Sequence, residues 1–147
     1  MEHLTFSPFV IDIYSFCGRS VLTEFGEGPR LGTIFDKAKK QPLKRLKIAR
    51  DIAAGLSHVH YGKDGDIPSF VHLDINPANI VVTNNALKLN DFNIGIMLKR
   101  NITSGLQCAF PAHQFPNPQW RSPEEVKEQS DLSEKVDVYS LGNIFFR

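Results

Sequence analysis

The sequence has little of what several classes of protein require. Only two cysteines occur, Cys17 and Cys108, and their wide separation indicates neither a disulfide framework nor a zinc site. Lys and Arg total 17 against 16 Asp and Glu, which leaves no basic surplus for a nucleic-acid partner. No apolar run approaches the roughly 20 residues that cross a bilayer, and residues 1–9 lack the pattern of a signal peptide. We therefore expect a cytoplasmic or nuclear protein with no membrane or nucleic-acid partner.

What the sequence does contain is the composition of a globular protein. Hydrophobic residues make up 41% and charged residues 22% of the 147 residues, which is sufficient for a hydrophobic core. Two runs rich in β-branched and aromatic residues, 9–16 and 20–25, predict a pair of antiparallel strands. A Gly/Pro-containing break follows at 26–30, and residues 31–39 are compatible with a short helix.

The clearest periodicity predicts an amphipathic helix that begins near Pro42 and ends at Gly62. Proline is favoured in the first turn of a helix, and apolar residues then recur at steps of three and four. These apolar positions are Leu46, Ala49, Ile52, Ala53, Leu56 and Val59. His58 and His60, two residues apart near the end of this helix, point to different sides and are therefore not expected to share a metal.

Further short segments predict additional elements beyond the long helix. Strands are predicted at 70–71, 80–82 and 87–89, a tight turn at 84–85, a short helix at 124–129 and a buried helix at 136–146. Residues 93–118 show little periodicity, which is typical of a functional or disordered loop. The chain ends inside an apolar run, so we expect it to be part of a larger domain.

The segment from His72 to Asn93 carries the residues that point to chemistry. It contains HLDINPANIVV and, after a short gap, LKLNDFN. Phosphoryl transfer from a magnesium nucleotide needs a carboxylate that orients the attacking hydroxyl and hard oxygen ligands for Mg²⁺. Asp74 can be that carboxylate, whereas Asn79 and Asp91 can supply metal ligands. Each residue alone is typical of a turn, but the ordered set of long helix, His-x-Asp-x-x-x-x-Asn, hairpin and Asp-Phe favours a phosphotransfer site.

On these motifs the chain resembles the protein kinase superfamily over nearly its whole length. The resemblance implies an α+β, protein-kinase-like fold with a mostly helical C-lobe, a catalytic-loop hairpin and two remaining N-lobe strands, in an incomplete domain covering 1–147. The expected parts are the last N-lobe strands and hinge at 1–28, the C-lobe part at 29–147, the catalytic loop at 72–79, the metal segment at 91–93 and the activation segment at 91–124.

The same resemblance implies roles for individual residues. Asp74 would be the catalytic base, and Asn79 and Asp91 the metal ligands. The remaining assignments are an adenine-binding hinge at Thr23, Glu24 and Gly26, a contact beneath the adenine from Val81, and structural support from His72, Phe92, Glu124 and Asp137. The implied cofactors are ATP and Mg²⁺. The implied partner is a protein substrate, with serine or threonine as the default acceptor.

Three positions depart from the family pattern. Leu73 stands where an arginine normally pairs with a phosphorylated activation segment. Asn76 stands where a lysine normally approaches the γ-phosphate, so a positive charge is missing there. Asn93 replaces a glycine, which is a mild change because Asn tolerates similar backbone angles. The Gly-rich loop and the strand lysine are absent from the sequence, so we expect this chain alone to bind nucleotide poorly and catalyse little.

Three functions are compatible with these features. The first is an active protein kinase of which this chain is a part. The second is a pseudokinase-like binding or scaffold module. The third is a small-molecule phosphotransferase of the aminoglycoside- or choline-kinase kind, in which the lysine is commonly absent. Retention of Asp74, Asn79 and Asp91 favours the first function over the second. The Trp120–Glu124 segment followed by Asp137–Gly142 favours it over the third.

Overall fold

The computed structural model describes residues 7–18, 20–62, 65–112 and 118–146. In these residues short antiparallel strands are combined with helices. The elements are β1 (Ile13–Cys17), β2 (Ser20–Thr23), α1 (Leu31–Ala38), α2 (Pro42–Tyr61), β3 (Phe70–Val71), β4 (Ile80–Thr83), β5 (Ala86–Leu89), β6 (Ile96–Met97), α3 (Pro123–Val126) and α4 (Lys135–Phe146). Short 3₁₀ turns occupy Pro77–Asn79 and Pro118–Trp120. This is the α+β architecture expected from the sequence.

β1 and β2 form an antiparallel hairpin, which confirms the predicted pairing of the two β-rich runs. Gly18 lies in the connecting turn with a φ of 57°, a backbone angle that glycine adopts without steric cost. The first part of the predicted strand 9–16 instead bonds to β5. The amide of Ile11 donates to the carbonyl of Leu89 at 2.9 Å, and the amide of Leu89 donates to the carbonyl of Phe9 at 2.8 Å. The hairpin is thereby connected to β5.

The long helix α2 begins at Pro42 and ends at Tyr61, so its predicted extent is confirmed. Gly62 closes the helix with a φ of 68° and donates its amide to the carbonyl of His58. The predicted apolar stripe is wrong at Leu46, which is 68% exposed. Ile48 is buried instead, and the buried side chains of α2 include positions 48, 52, 56 and 59. The helix packs against β5 and α4.

Two further antiparallel pairs lie on either side of the predicted catalytic loop. β4 pairs with β5, and the turn between them contains Asn84 and Asn85 with φ values of 50° and 61°. Two consecutive positive φ angles are typical of the tight hairpin turn that the Asn-Asn pair predicted. β3 pairs with β6. The sequence did not predict β6, which lies within the 93–118 stretch that shows little periodicity.

The buried apolar side chains form two clusters. The larger cluster joins α1, α2, β4, β5 and α4, with fully buried residues at Leu31, Ile52, Ile75, Leu89 and Ile144. The smaller cluster contains Val71, Leu73, Phe110, Leu132 and Val136. Because Leu73 and Ile75 belong to different clusters, residue 74 lies between the two. No helix within the described ranges is long and apolar enough to span a bilayer.

Candidate active site

Asp74 occupies an irregular segment between β3 and β4. Its neighbours Leu73 and Ile75 are buried in the two separate core clusters, whereas the Asp74 side chain is 28% exposed. Leu73 has a φ of 64°, a left-handed angle that is uncommon for a residue with a side chain. Burial of the apolar neighbours on both sides therefore fixes a backbone turn that presents the carboxylate of Asp74 to solvent.

Asn79 binds directly to Asp74. The Nδ2 group of Asn79 lies 2.7 Å from Oδ2 and 2.9 Å from the carbonyl oxygen of Asp74. A carbonyl oxygen and a carboxylate oxygen are hydrogen-bond acceptors, so the amide of Asn79 presents its NH₂ group to both Asp74 atoms. The Oδ1 atom of Asn79 is therefore the atom that can ligate a cation.

A buried carboxylate at the start of α4, that of Asp137, holds the backbone that precedes Asp74. Asp137 accepts hydrogen bonds from the amides of His72 at 2.7 Å and Leu73 at 2.9 Å. Its Oδ2 atom also lies 2.9 Å from Nε2 of His60 on α2. Buried charges are tolerated when such hydrogen bonds satisfy them. The backbone at positions 72 and 73 is thus attached to α2 and α4 through a single side chain.

His72 links the Asp74 segment to the residues that precede Asp91. Its Nε2 group donates to the carbonyl of Asn90 at 3.0 Å, and its Nδ1 atom accepts from the amide of Asp74 at 3.2 Å. These partners assign the proton to Nε2 of a neutral ring. Burial lowers the pKa of His72, although the charge of Asp137 acts in the opposite direction. The ring also contacts Phe92, with 4.7 Å between centroids.

Asp91 and Asn79 line the same cleft of about 430 Å³, together with Thr23 and Phe92. Asp91 is exposed and has a φ of 63°, a strained angle of the kind that is concentrated at functional sites. In the described part of the chain no three His, Cys, Asp or Glu side chains are grouped to hold a metal. One carboxylate and one amide oxygen nevertheless fit Mg²⁺, which binds through few protein ligands when substrate phosphates complete its shell.

A second cleft lies next to the first and is lined by the residues that follow β2. Gly26 and Val81 both line it, and Ala78 lines both clefts. The chain passes close to β4 here, because the amides of Glu27 and Gly28 both donate to the carbonyl of Val82. The family resemblance implied a place for Gly26 in the adenine-binding hinge and a contact beneath the adenine from Val81, and both residues line this cleft.

The side chain of Glu24 has a contact network that the sequence did not indicate. Its carboxylate accepts from Nζ of Lys88 at 2.7 Å, from Oγ1 of Thr83 at 2.6 Å and from the amide of Asp12 at 3.2 Å. Burial acts to raise the pKa of Glu24, but the hydrogen bonds from Lys88, Thr83 and Asp12 outweigh it, so the pKa is lowered. The predicted hinge is therefore attached to the β4–β5 hairpin by an ion pair.

Sequence reasoning missed a cationic partner of Asp74. Nη2 of Arg121 lies 3.2 Å from Oδ1 of Asp74, and Nη1 lies 3.4 Å from Oε1 of Glu125. Glu124, predicted to give structural support, is exposed, whereas Glu125 is buried. Ser122 and Glu125 form a capping box at the start of α3. The Ser-x-x-Glu pattern is a recognisable signature of such a cap, and could have identified Glu125 as the inward residue.

The fold and the donor set around Asp74 are of the kind that a phosphotransferase site requires. The partly exposed Asp74 accepts a hydrogen bond from Asn79, whose amide oxygen can ligate a metal. Asp91 lines the same cleft as Asn79. Phosphoryl transfer requires this combination of a hydroxyl-orienting carboxylate and oxygen ligands for metal. The model of the protein kinase domain family matches residues 1–147. The chain belongs to the protein kinase family.

Curated relatives agree with the family assignment. The chain is 31% identical over 149 residues to "Probable serine/threonine-protein kinase roco9" of Dictyostelium discoideum, covering 93% of this chain and 4% of that protein. It is 31% identical over 133 residues to "Dual specificity protein kinase pyk3" of the same organism, covering 86% and 8%. It is 30% identical over 146 residues to the rice "G-type lectin S-receptor-like serine/threonine-protein kinase LECRK1", covering 95% and 17%. The chain thus spans a small part of each relative.

A solved structure shares the fold. The kinase PK-1 of the Cydia pomonella granulovirus superposes with a TM-score of 0.70 at 14% sequence identity, covering 99% of this chain and 50% of that chain. At this identity the likeness concerns the fold alone. The protein-kinase-like fold expected from the sequence motifs is therefore confirmed.

Proposed function

We propose that the domain transfers the γ-phosphoryl group of ATP to a hydroxyl group of a protein substrate, with serine or threonine as the acceptor. The observation that supports this most directly is the arrangement of Asp74, which is bonded to Asn79 beside the cleft that Asp91 also lines. The choice of acceptor rests on the names of two relatives, both of which are described as serine/threonine-protein kinases.

Each residue of the site has a chemical role in this proposal. The partly exposed carboxylate of Asp74 orients the acceptor hydroxyl and takes its proton. A general base must lie within hydrogen-bond reach of the group that it activates, and the exposed part of Asp74 allows this approach. Asn79 and Asp91 would hold Mg²⁺, which neutralises charge on the phosphates of ATP when bound. His72 and Asp137 act indirectly, since they hold the backbone on which Asp74 lies.

The adenine would occupy the second cleft, which Gly26 and Val81 both line. A Cβ atom added to Gly26 would lie 3.3 Å from Cβ of Val81, so the chain passes directly against β4 at this point. The backbone groups of Glu24 and Gly26 are the proposed partners of the adenine edge. Thr23 lines the first cleft with Asn79 and Asp91, and therefore lies on the path between the adenine and metal positions.

The proposal is tested in the full-length protein by replacing Asp74 with asparagine. We expect Asp74→Asn to abolish transfer of phosphate from [γ-³²P]ATP to dephosphorylated casein in Mg²⁺, while the ATP-induced rise in melting temperature persists. The reason is that Asp74 acts on the acceptor and not on the nucleotide. Asp91→Asn is expected to remove the Mg²⁺-dependent part of the rise. Asp66→Asn, an exposed site in a loop, is the matched control.

Three results would contradict the proposal. Equal turnover by the native protein and by Asp74→Asn would exclude Asp74 as the base. ATP binding without any turnover in the native protein would favour a pseudokinase-like binding module, the alternative raised by the sequence. Phosphorylation of kanamycin or choline, with casein left unmodified, would instead favour a small-molecule phosphotransferase.

A further inference from the structure

The charge environment of Asp74 contains a residue from a distant part of the chain. Arg121 lies 47 positions after Asp74, yet its Nη2 group contacts Oδ1 of Asp74 at 3.2 Å. The Arg121 side chain is only 8% exposed. A guanidinium group is charged at all physiological pH values, so Asp74 has a permanent, largely buried positive charge beside it.

The catalytic loop itself supplies no such charge. Asn76 occupies the position at which protein kinases normally carry a lysine, and its side chain makes only local bonds here. Its Nδ2 group donates to the carbonyl of Asp74 at 3.1 Å, and its Oδ1 atom accepts from the amide of Ala78 at 2.8 Å. Asn76 therefore caps the short 3₁₀ turn that leads to Asn79. Asn76, where the family's lysine is missing, and Arg121, which supplies a positive charge, both contact Asp74.

Arg121 is held in place on its other side by well-defined contacts. Nη1 donates to the carbonyl of Leu73 and lies 3.4 Å from Oε1 of Glu125. The second oxygen of Glu125 accepts from the amide of Ser122 at 2.8 Å, as part of the capping box of α3. The guanidinium group is thus placed chiefly by the backbone of the catalytic loop, and its contact with Glu125 is longer than its contacts with Leu73 and Asp74.

From this geometry we infer that Arg121 is a positioning residue for phosphoryl transfer, which orients the carboxylate of Asp74 and replaces in space the positive charge absent at Asn76. The inference rests on the proposed kinase function. Arg121 bonds to one oxygen of Asp74 and Asn79 to the other. The carboxylate plane is therefore fixed from two sides, and its position relative to an acceptor hydroxyl is defined before substrate binds.

The positive charge has a second consequence. Asp74 and the phosphates of ATP are both anionic, and their approach is unfavourable unless a cation lies close by. Arg121 supplies this cation from the end of the predicted activation segment, just before α3. Loss of one preorganised electrostatic contact in an active site commonly lowers kcat by roughly 10²–10³. We expect the effect of Arg121 to fall at the lower end of this range, because Asn79 still holds Asp74.

The test measures casein phosphorylation by the full-length protein and four variants. Arg121→Met is expected to lower kcat by about 10²-fold with the KM for ATP unchanged, because the lost contact acts on Asp74 and not on the nucleotide. Arg121→Lys is expected to lose about tenfold, since a lysine keeps the charge but not the forked geometry. The double variant Arg121→Met with Asn76→Lys is expected to recover at least tenfold over Arg121→Met.

A purely structural role of Arg121 predicts a different pattern. Glu125→Gln removes the ion pair with Arg121 but keeps the capping box, which accepts Gln in place of Glu. The contact between Arg121 and Asp74 is not changed by this substitution. We expect Glu125→Gln to retain kcat within threefold. Loss of kcat in Glu125→Gln equal to that in Arg121→Met, without recovery by Asn76→Lys, would overturn the inference in favour of a structural brace. Wild-type kcat in a folded Arg121→Met would also overturn it.

Folding and the proposed function are controlled separately. Circular dichroism and melting temperature establish that each variant is folded. If Arg121→Met does not fold, the inference is judged on Arg121→Lys alone, in which an unchanged kcat would count against it. If the native protein itself shows no turnover while Asp74→Asn behaves identically, the proposed function has failed and the inference fails with it. Turnover that depends on Asp74 but not on Arg121 overturns the inference alone.

Discussion

Leu73 and Asp74 are adjacent residues in opposite environments. Leu73 is almost fully buried among Val71, Phe110 and Val136, whereas Asp74 reaches solvent. The family pattern has an arginine at position 73, which would have to be placed inside this apolar cluster. Leucine at this position therefore contributes core packing, and its φ of 64° is stabilised by the hydrogen bond that its backbone amide donates to Asp137.

Restoring the family residue at position 73 is expected to damage the protein. Leu73→Arg places an unpaired charge in an apolar core, which is costlier than removal of the side chain. Leu73→Ala is expected to lower the free energy of unfolding by about 2–5 kcal/mol through the cavity that it leaves. Urea unfolding of the 147-residue chain, followed by fluorescence of Trp120, measures both effects. Leu43→Ala, at an exposed leucine, is the control and should change little.

Individual site residues can be predicted from the sequence only where they belong to one short motif. Asp74, Asn79 and Asp91 are predicted as site residues because their spacing is local and their chemistry is specific. Arg121 could not be found in this way, because its contact with Asp74 spans 47 positions and a single arginine carries no spacing signal. The carboxylate of Glu24 was missed for the same reason, since its partner Lys88 lies 64 positions away.

Among the elements, the contact between residues 26–28 and β4 determines the shape of the proposed adenine cleft. The amides of Glu27 and Gly28 share the carbonyl of Val82. A Cβ atom added to Gly28 would lie 2.3 Å from Cβ of Val82, which is far inside van der Waals contact. A glycine is therefore required at position 28 for close approach of the two backbones, although the sequence indicated only a break between elements at 26–30.

Gly28→Ala is expected to displace residues 26–28 from β4 and to weaken ATP binding at least tenfold. The reason is that Cβ of Val82 is attached to the strand backbone and cannot move aside. Gly142→Ala is the matched control, because no atom lies within 4 Å of the added Cβ and the position is inside α4. That control should stabilise the protein by about 0.5–1 kcal/mol. Titration calorimetry with Mg·ATP on the full-length protein compares the two variants, and equal affinities would refute the steric argument.

The elements that the sequence predicted well are those with many residues in a regular pattern. α2 was predicted over nearly its full length, because 20 residues give several repeats of the helical period. The β4–β5 hairpin was predicted from the Asn-Asn turn. β6 was missed because it lies in a stretch without periodicity, and its pairing with β3 depends on tertiary contacts. Leu46 was placed on the wrong face because several helix positions satisfy the same period.

For the molecule as a whole, the two core clusters and the polar residues between them form one connected arrangement. α2 and α4 supply His60 and Asp137, which hold the backbone at 72–73. The imidazole of His72 then connects that backbone to Asn90. A disturbance of this buried polar chain is therefore transmitted to both Asp74 and Asp91. The proposed site depends on the fold through a few buried ionisable groups, which makes its stability sensitive to acid.

We expect the free energy of unfolding to fall in two steps as the pH is lowered. The pKa of buried His72 is lowered from 6.5, so the unfolded chain takes up a proton first, and stability is lost as the pH falls from about 6.5 toward the folded pKa. The pKa of Glu24 is lowered from 4.5, so its contribution, present above that value, is lost as the pH falls through its folded pKa.

Urea unfolding followed by Trp120 fluorescence at pH values from 8 to 3 separates the two groups. His72→Gln keeps a donor and an acceptor but does not titrate, so it should flatten the step below pH 6.5. His58→Gln, at a histidine that bonds to Ser7 outside the site, should leave that step in place. Glu24→Gln should diminish only the step below pH 4.5. A His72→Gln profile identical to that of the native chain would show that neutral His72 does not link the stability of the fold to pH.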